Sequence, residues 1–163
     1  VEQKAPIIVI DTDVFVRDLR YVRDRNYPVN KRFLELIHNS KSGVTTIFTL
    51  LETCGILSFN LNSRQLRELF FYFPKKYGIE ILPTHTLDGS MPQINTMAVY
   101  AFIDSRMSFG DALISAALET FVPSAEIFVS WNARHFAGLK IKAMTPGEYM
   151  TLVRKRVSYS RKP

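Results

Sequence analysis

The chain has 163 residues, 47% of them hydrophobic and 22% charged, which fits one soluble globular domain with a sizeable core and no apolar run near the roughly 18 residues of a membrane span. Its formal net charge is +6, yet residues 153–163 hold five bases and no acid, which leaves 16 bases against 15 acids in the body; overall basicity is therefore no evidence for a nucleic-acid face. No secretory signal opens the sequence, and the single cysteine, Cys54, excludes an internal disulfide and points to a reducing, cytoplasmic setting.

Pro6 precedes Ile7-Ile8-Val9-Ile10, a short apolar run that reads as a buried parallel strand ending at Asp11. The charged stretch from Arg17 to Tyr27 reads as a loop or frayed turn, with Asn30 capping a helix through about His38. Gly43 to Thr46 predicts a second strand, and Ile47 to Phe59 a buried helix in which Glu52 is the only charge. Ser63 opens a helix that Pro74 should bend or end. Ile79 to Leu82 is a strand, residues 91–105 a helix, and Ser108 begins another with apolar positions 109, 112, 113, 116 and 117 on one face. Ile127 to Ser130 and Leu139 to Ala143 are the last strands. Thr145-Pro146-Gly147-Glu148 has the capping-box pattern of a final helix start. Strands alternating with helices imply an α/β fold with a parallel sheet covered on both faces. The division that follows is one domain over residues 1–153 and a basic tail over 154–163, expected to be mobile and to add non-specific RNA affinity; the competing reading is a final helix that continues through Arg156 and packs on the body, its bases solvated.

The chemistry concentrates in acids at element ends. Asp11 and Asp13 flank Thr12 just beyond the first strand, and residues two apart on an extended chain point the same way. An N-cap and a solvated side chain are the structural alternative; that explains Asp13 about as well as function does, and Asp11 poorly. Glu52 loses hydration when an otherwise apolar helix packs, so it needs a cation, a hydrogen-bond network or an open cavity. Asp111 has a strong structural rival, since Ser108-Phe109-Gly110-Asp111 resembles a capping box. Ser130 and Asn132 end a later strand, where turn formation competes with a site role. Oxygen ligands of this kind suit Mg2+ or Mn2+ rather than zinc, and His38, His85 and His135 have no zinc-like spacing. Neither a phosphate-binding Gly-rich loop nor a Gly-x-Ser-x-Gly elbow occurs. Arg17, Arg20, Arg23 and Arg25 would steer RNA phosphates, although Asp18 and Asp24 dilute that patch. Trp131 would stack on a base, or else pack as core.

Four blocks in order, Ile-Asp-Thr-Asp-Val-Phe at 10–15, Leu-Glu-Thr-Cys-Gly-Ile-Leu at 51–57, Met-Ser-Phe-Gly-Asp-Ala-Leu-Ile at 107–114 and Val-Ser-Trp-Asn-Ala-Arg-His-Phe at 129–136, resemble the characteristic blocks of the PIN-domain family over roughly residues 7–150. The resemblance implies a three-layer α/β/α sandwich and a ribonuclease dependent on Mg2+ or Mn2+. It implies Asp11, Glu52 and Asp111 as catalytic and metal-binding acids. Many members carry a fourth Asp where this chain has Asn132, which removes a charge; Asp13, often Asn in the family, would restore it. Small stand-alone members are typically homodimeric toxins of toxin–antitoxin pairs, which implies an antitoxin protein as partner and no membrane. Two rivals stand beside this reading. A haloacid-dehalogenase-like phosphatase also opens with strand-Asp-x-Asp, but Phe15 and Ser115 depart from its pattern. A degenerate PIN scaffold would bind RNA or a partner without cutting, with Asn132 as its support.

Overall fold

The computed structural model describes residues 6–84 and 87–160, with the backbone alone for 157–160. Five strands form one all-parallel sheet in the order β3-β2-β1-β4-β5, comprising β1 (Ile8–Ile10), β2 (Gly43–Thr46), β3 (Glu80–Leu82), β4 (Ile127–Val129) and β5 (Lys142–Met144). Ile8, Val9 and Ile10 pair with β2 on one side and β4 on the other. β1, β2 and β4 are buried along their whole length, which is why β1 and β4 read as continuous apolar runs rather than alternating ones. Parallel strands need crossovers, and among the described residues seven helices supply the covering layers: α1 (Thr12–Arg20), α2 (Tyr27–Ser40), α3 (Ile47–Leu57), α4 (Ser63–Tyr77), α5 (Thr96–Asp104), α6 (Phe109–Phe121) and α7 (Pro146–Ser160). α1 to α4 pack on one another and α7 packs on α2, while α5 and α6 form a separate pair that meets α3. The α/β/α sandwich with a parallel sheet is the architecture that the sequence predicts.

Several boundaries differ from the sequence reading, each for a physical reason. The stretch from Arg17 to Tyr27, expected as a loop or frayed helix turn, divides: residues 17–20 end a helix and 21–26 are turns. α1 runs from Thr12 to Arg20, because Val14, Phe15 and Val16 bury one side of a short helix whose other side carries the charges. α2 starts at Tyr27, with Pro28 in its first turn where its missing N–H costs nothing. Asn30 is therefore not a cap; it lies inside α2, fully buried. α4 does open at Ser63, as the sequence predicts, with Asn62 capping it through a reciprocal box with Gln65. That helix continues past Pro74 to Tyr77. An interior proline costs about 3 kcal/mol, but Phe73 and Tyr77 on either side of it are buried, so packing offsets the lost bond. α4 then stops on Gly78, whose φ of +62° is a left-handed conformation that suits glycine. Phe109, expected on the apolar face of α6, is 67% exposed, whereas Ala112, Ala116 and Ala117 are buried.

The capping box at the last helix is present: Thr145 N donates to Glu148 Oε2 at 2.7 Å and Glu148 N to Thr145 Oγ1 at 3.2 Å. α7 then runs without a break to Ser160, so the boundary drawn at 154 falls inside a helix. Helical continuity through Arg154, Lys155 and Arg156 is what the competing reading of a continued final helix expects. Arg161 and Lys162, and likewise His85, lie outside the described residues.

Candidate active site at the switch point of the sheet

β1 and β4 are neighbours from which the chain departs in opposite directions, to β2 on one side and to β5 on the other. Such a switch point opens a crevice beyond the carboxyl ends of the two strands, where ligands of open α/β sheets bind. The residues that follow these strand ends are Asp11 and Ser130.

Asp11 is 5% exposed and is the N-cap of α1, its Oδ1 accepting from Thr12 N at 2.8 Å. The cap role that the sequence made least convincing for Asp11 is thus real, and it coexists with burial at the crevice. Burial pushes the Asp11 carboxyl well above the usual range, and the neighbouring charge of Asp13 adds to this. The Ser130 hydroxyl and the Thr12 N–H pull it back, while Glu52 raises it further. The charges acting on Asp11 are those of Asp13 and Glu52, both negative.

Asp13 stands in the first turn of α1, so an extended-chain argument does not account for its position. Helical winding instead turns its carboxylate toward the segment after β4. Asp13 Oδ2 accepts from Ser130 Oγ and Asn132 N, each at 3.0 Å, and Oδ1 accepts from Trp131 N at 3.1 Å. Burial raises its carboxyl, while the Trp131, Ser130 and Asn132 bonds and the Arg17 charge lower it. Both oxygens are therefore engaged, and the charge that Asp13 was expected to restore is spent on holding the 130–132 turn.

Glu52, half-buried on α3, is tied to the start of α1 because the Thr12 hydroxyl donates to its Oε2. Its other oxygen faces α6: a Cβ placed on Gly110 would stand 2.9 Å from Glu52 Oε1. The first turn of α6 approaches Glu52 this closely only because position 110 has no side chain. Asp111 follows in that same turn, half-buried, its N–H donating to the capping Ser108 Oγ at 3.3 Å. The structure thus brings Asp13, Glu52 and Ser130 each into interaction with Asp11, and Asp13 into contact with Ser130. Asp111 is mounted on the turn that abuts Glu52, with no hydrogen bond to its carboxylate among the described residues. Asn132 is exposed and enters through its backbone N–H.

The arginines divide. Arg17 pairs with Asp24 at 2.5 Å and its guanidinium lies 4.8 Å from the Trp131 ring centroid, so it is not a free phosphate-steering charge. Arg20 is exposed, 5.5 Å from the Tyr21 ring centroid, and Arg23 is exposed in the turn after α1. Trp131 is half-buried, with Arg17 over its ring and its Nε1–H donating to Asn30 Oδ1 at 2.7 Å, which places it in a built contact rather than open to stack on a base. Thr12, Gly110 and Asn30 were missed by sequence reasoning. A hydroxyl between two acids and a glycine in a helical first turn were the available signals for the first two; Asn30 had none.

A hard divalent cation is matched by this donor set, which is all oxygen. The supporting observation is Asp11 itself, a buried carboxylate pressed by two like charges. Among the described residues, however, no three Asp, Glu, His or Cys side chains form a group that could by themselves hold a metal ion. The expected three-carboxylate cluster is therefore not preassembled. Mg2+ commonly keeps several waters and takes one or two carboxylates plus substrate oxygens, a demand that Asp11 and Glu52 can meet.

No family model matches the chain, and no curated protein matches it. Among solved structures, a chain from FitAB bound to an IR36 DNA fragment is similar at 15% sequence identity, over 85% of this chain and 94% of that one, with a TM-score of 0.54. At that identity the likeness is one of fold, and it supports the PIN-like sandwich.

Proposed function

We propose that this protein is a metal-dependent endoribonuclease that hydrolyses RNA phosphodiester bonds, and that it serves as the toxin of a toxin–antitoxin pair. The observation that carries the nuclease reading is the buried Asp11 carboxylate at the switch point, beside Asp13 and Glu52. Holding like charges together out of water is costly, and a structure that keeps such a site has a use for a cation there. The four sequence blocks and the fold shared with a FitAB chain support the same reading.

Asp11 and Glu52, with Asp111 from the adjoining turn, would hold hydrated Mg2+ or Mn2+. When bound, such an ion lowers the pKa of a water and neutralises charge on a scissile phosphate. The chain's own residues supply the orientation. Thr12 fixes Glu52, the Thr12 N–H fixes Asp11, and Asp13 fixes the turn that carries Ser130. Arg20 and Arg23, both exposed, are the bases this reading assigns to RNA phosphates; Arg17 is committed elsewhere. A second copy of the chain and an antitoxin protein are the partners that this reading implies.

The test is cleavage of a defined RNA by the purified protein with Mg2+ or Mn2+. Chelation should abolish it and re-addition of either ion restore it. Cleavage that persists in chelator and in Asp11→Asn alike would sink the proposal. For the toxin role, expression should arrest growth and an antitoxin encoded beside it should relieve the arrest; normal growth with an active, folded protein points to a housekeeping nuclease.

Gly110→Ala gives a sharper probe of the site. The added methyl forces Glu52 Oε1 aside, which its flexible side chain can do without unfolding anything. Alanine in a helix is favoured over glycine by up to about 1 kcal/mol. The variant should melt no lower than wild type, yet lose roughly tenfold or more in cleavage, because small misplacements of reacting groups are costly. Unchanged kcat in Gly110→Ala would remove Glu52 from the site.

A further inference from the structure

Beyond the acids, the turn after β4 is gripped by two helices in a way the proposed chemistry does not by itself require. Asp13 holds it from α1 through three hydrogen bonds, two to backbone N–H groups of Trp131 and Asn132 and one to the Ser130 hydroxyl. One helical turn further along α1, Arg17 lies over the Trp131 ring, 4.8 Å from its centroid. The edge of the indole is held from α2: Trp131 Nε1 donates to Asn30 Oδ1 at 2.7 Å, and Asn30 Nδ2 donates to the Val14 carbonyl of α1 at 2.9 Å. Asn30 is fully buried, so its orientation is fixed by those two bonds. Arg17 is held in turn by Asp24, in the turn that joins α1 to α2. An aromatic residue covered on its face and bonded at its edge is a peg, not an open stacking platform.

The peg sits next to Ser130. That hydroxyl is fully buried, donates to Asp13 Oδ2 at 3.0 Å and accepts from Asn132 N at 3.0 Å, and it lies near enough to Asp11 to draw that carboxyl down. A hydroxyl carries one proton and can donate to one carboxylate at a time. Its value to two buried acids depends on staying where it can serve both. Asp13 and the Asn132 N–H hold it directly, and Trp131 supports it from the next position in the chain, backed by Asn30 and Arg17.

We infer that Trp131, pinned at its indole N–H by Asn30 and covered by Arg17, is a positioning residue that holds the Ser130 hydroxyl between Asp11 and Asp13. This rests on reading the acidic crevice as the reaction centre. It removes Trp131 and Arg17 from the list of RNA contacts and gives them a role behind the site.

Two variants and two readouts test it. Trp131→Phe keeps a ring under Arg17 and removes the indole N–H; Asn30→Ala removes the acceptor from the other side. Both are compared with wild type by far-UV circular dichroism, so that an unfolded variant is recognised and the other one decides. The first readout is amide hydrogen exchange at residues 131 and 132, which needs no activity. In either folded variant it should speed up roughly tenfold or more, as an opening equilibrium does when a buried polar group loses its partner. In Asn30→Ala this loosening would appear about a hundred residues away in sequence. The second readout is the kinetic split on RNA: kcat should fall roughly 10- to 100-fold with KM within about twofold of wild type. A rise in KM at constant kcat would mean that Trp131 binds RNA, and would overturn the inference. So would unchanged exchange at 131 and 132. If wild type cleaves no RNA, the nuclease reading fails, and the exchange result alone still decides whether the peg exists. Because Trp131 is the chain's one tryptophan, its emission in Asn30→Ala gives an independent check: it should shift to the red as the indole loses its buried acceptor, and an unshifted spectrum counts against the peg.

Discussion

Asp11→Asn should lower RNA cleavage by roughly 10^2- to 10^3-fold, a loss typical for a group that stabilises transition-state charge, and should also make the protein more stable at neutral pH. The two effects share one cause. Burial and the charges of Asp13 and Glu52 hold the Asp11 carboxyl well above its ordinary range. Between the unfolded and folded pKa values the folded chain keeps a proton that the unfolded chain has lost. Stability therefore falls as pH rises through that window, and the deficit persists above it. Asparagine does not titrate, is nearly the same size, and still offers an oxygen to the Thr12 N–H, since Asn and Asp are about equal as caps. Relief of a strained functional site typically returns about 0.5–2 kcal/mol, or about 2–6 °C in melting temperature for a chain of this length. The gap between variant and wild type should widen from the ordinary carboxyl range up to neutral pH and vanish at lower pH. Added Mg2+ or Mn2+ should raise the melting temperature of wild type and not of the variant, because only a species that binds the folded state stabilises it. A variant that melts below wild type at pH 7 in chelator would show that the hydrogen bonds to Asp11 outweigh its burial, and would remove the electrostatic argument for a cation site.

How much of this was readable in the sequence differs between the acids and their supports. Asp11 and Glu52 stand out because each is a charge at or within an apolar run, and hydropathy alone marks a charge that burial will desolvate. The parallel sheet was readable for the same reason, since β1 and β4 are apolar along their length. Helix α1 was not. Its apolar residues number too few for a clear 3.6-residue period, and its surface is crowded with Arg17, Asp18 and Arg20. The partners of its buried polar groups lie more than a hundred residues away, at Ser130, Trp131 and Asn132. No local pattern encodes such a pairing. Asn30 shows the limit most clearly: an asparagine two residues after a proline reads as a cap, and its burial follows only from meeting Val14 and Trp131 in space. The same holds for the basic end of the chain. A run without acids suggests a solvated tail, whereas the capping box at Thr145 and Glu148 starts a helix that continues to Ser160.

Phe15→Ala should be the most destabilising single change near the site, at about 3–5 kcal/mol. Phe15 is fully buried on α1 and meets two rings of α4, Phe73 at 4.7 Å and Tyr77 at 4.9 Å, which also contact each other at 4.9 Å. Edge-on and tilted aromatic contacts add to plain area burial. The Tyr77 hydroxyl donates to Asp18 Oδ2 at 2.8 Å, so the cluster is closed at its outer edge by a bond back to α1. Removing the central ring leaves a cavity between two helices that are themselves pinned elsewhere, and a site that cannot collapse bears the full cost. The melting temperature should drop by roughly 10 °C or more, and urea midpoints should fall with an unchanged slope. Phe59→Ser is the control: Phe59 is 89% exposed, so its loss should change stability by no more than about 0.5 kcal/mol. The start of α1 is held separately, by the Asp11 cap, the Thr12–Glu52 bond and the grip of Asp13 on the turn after β4. At low temperature, where the variant is still folded, cleavage should therefore stay within about tenfold of wild type. A Phe15→Ala protein that is stable but inactive would mean that the aromatic cluster, not the bonds at the head of α1, aims the carboxylates.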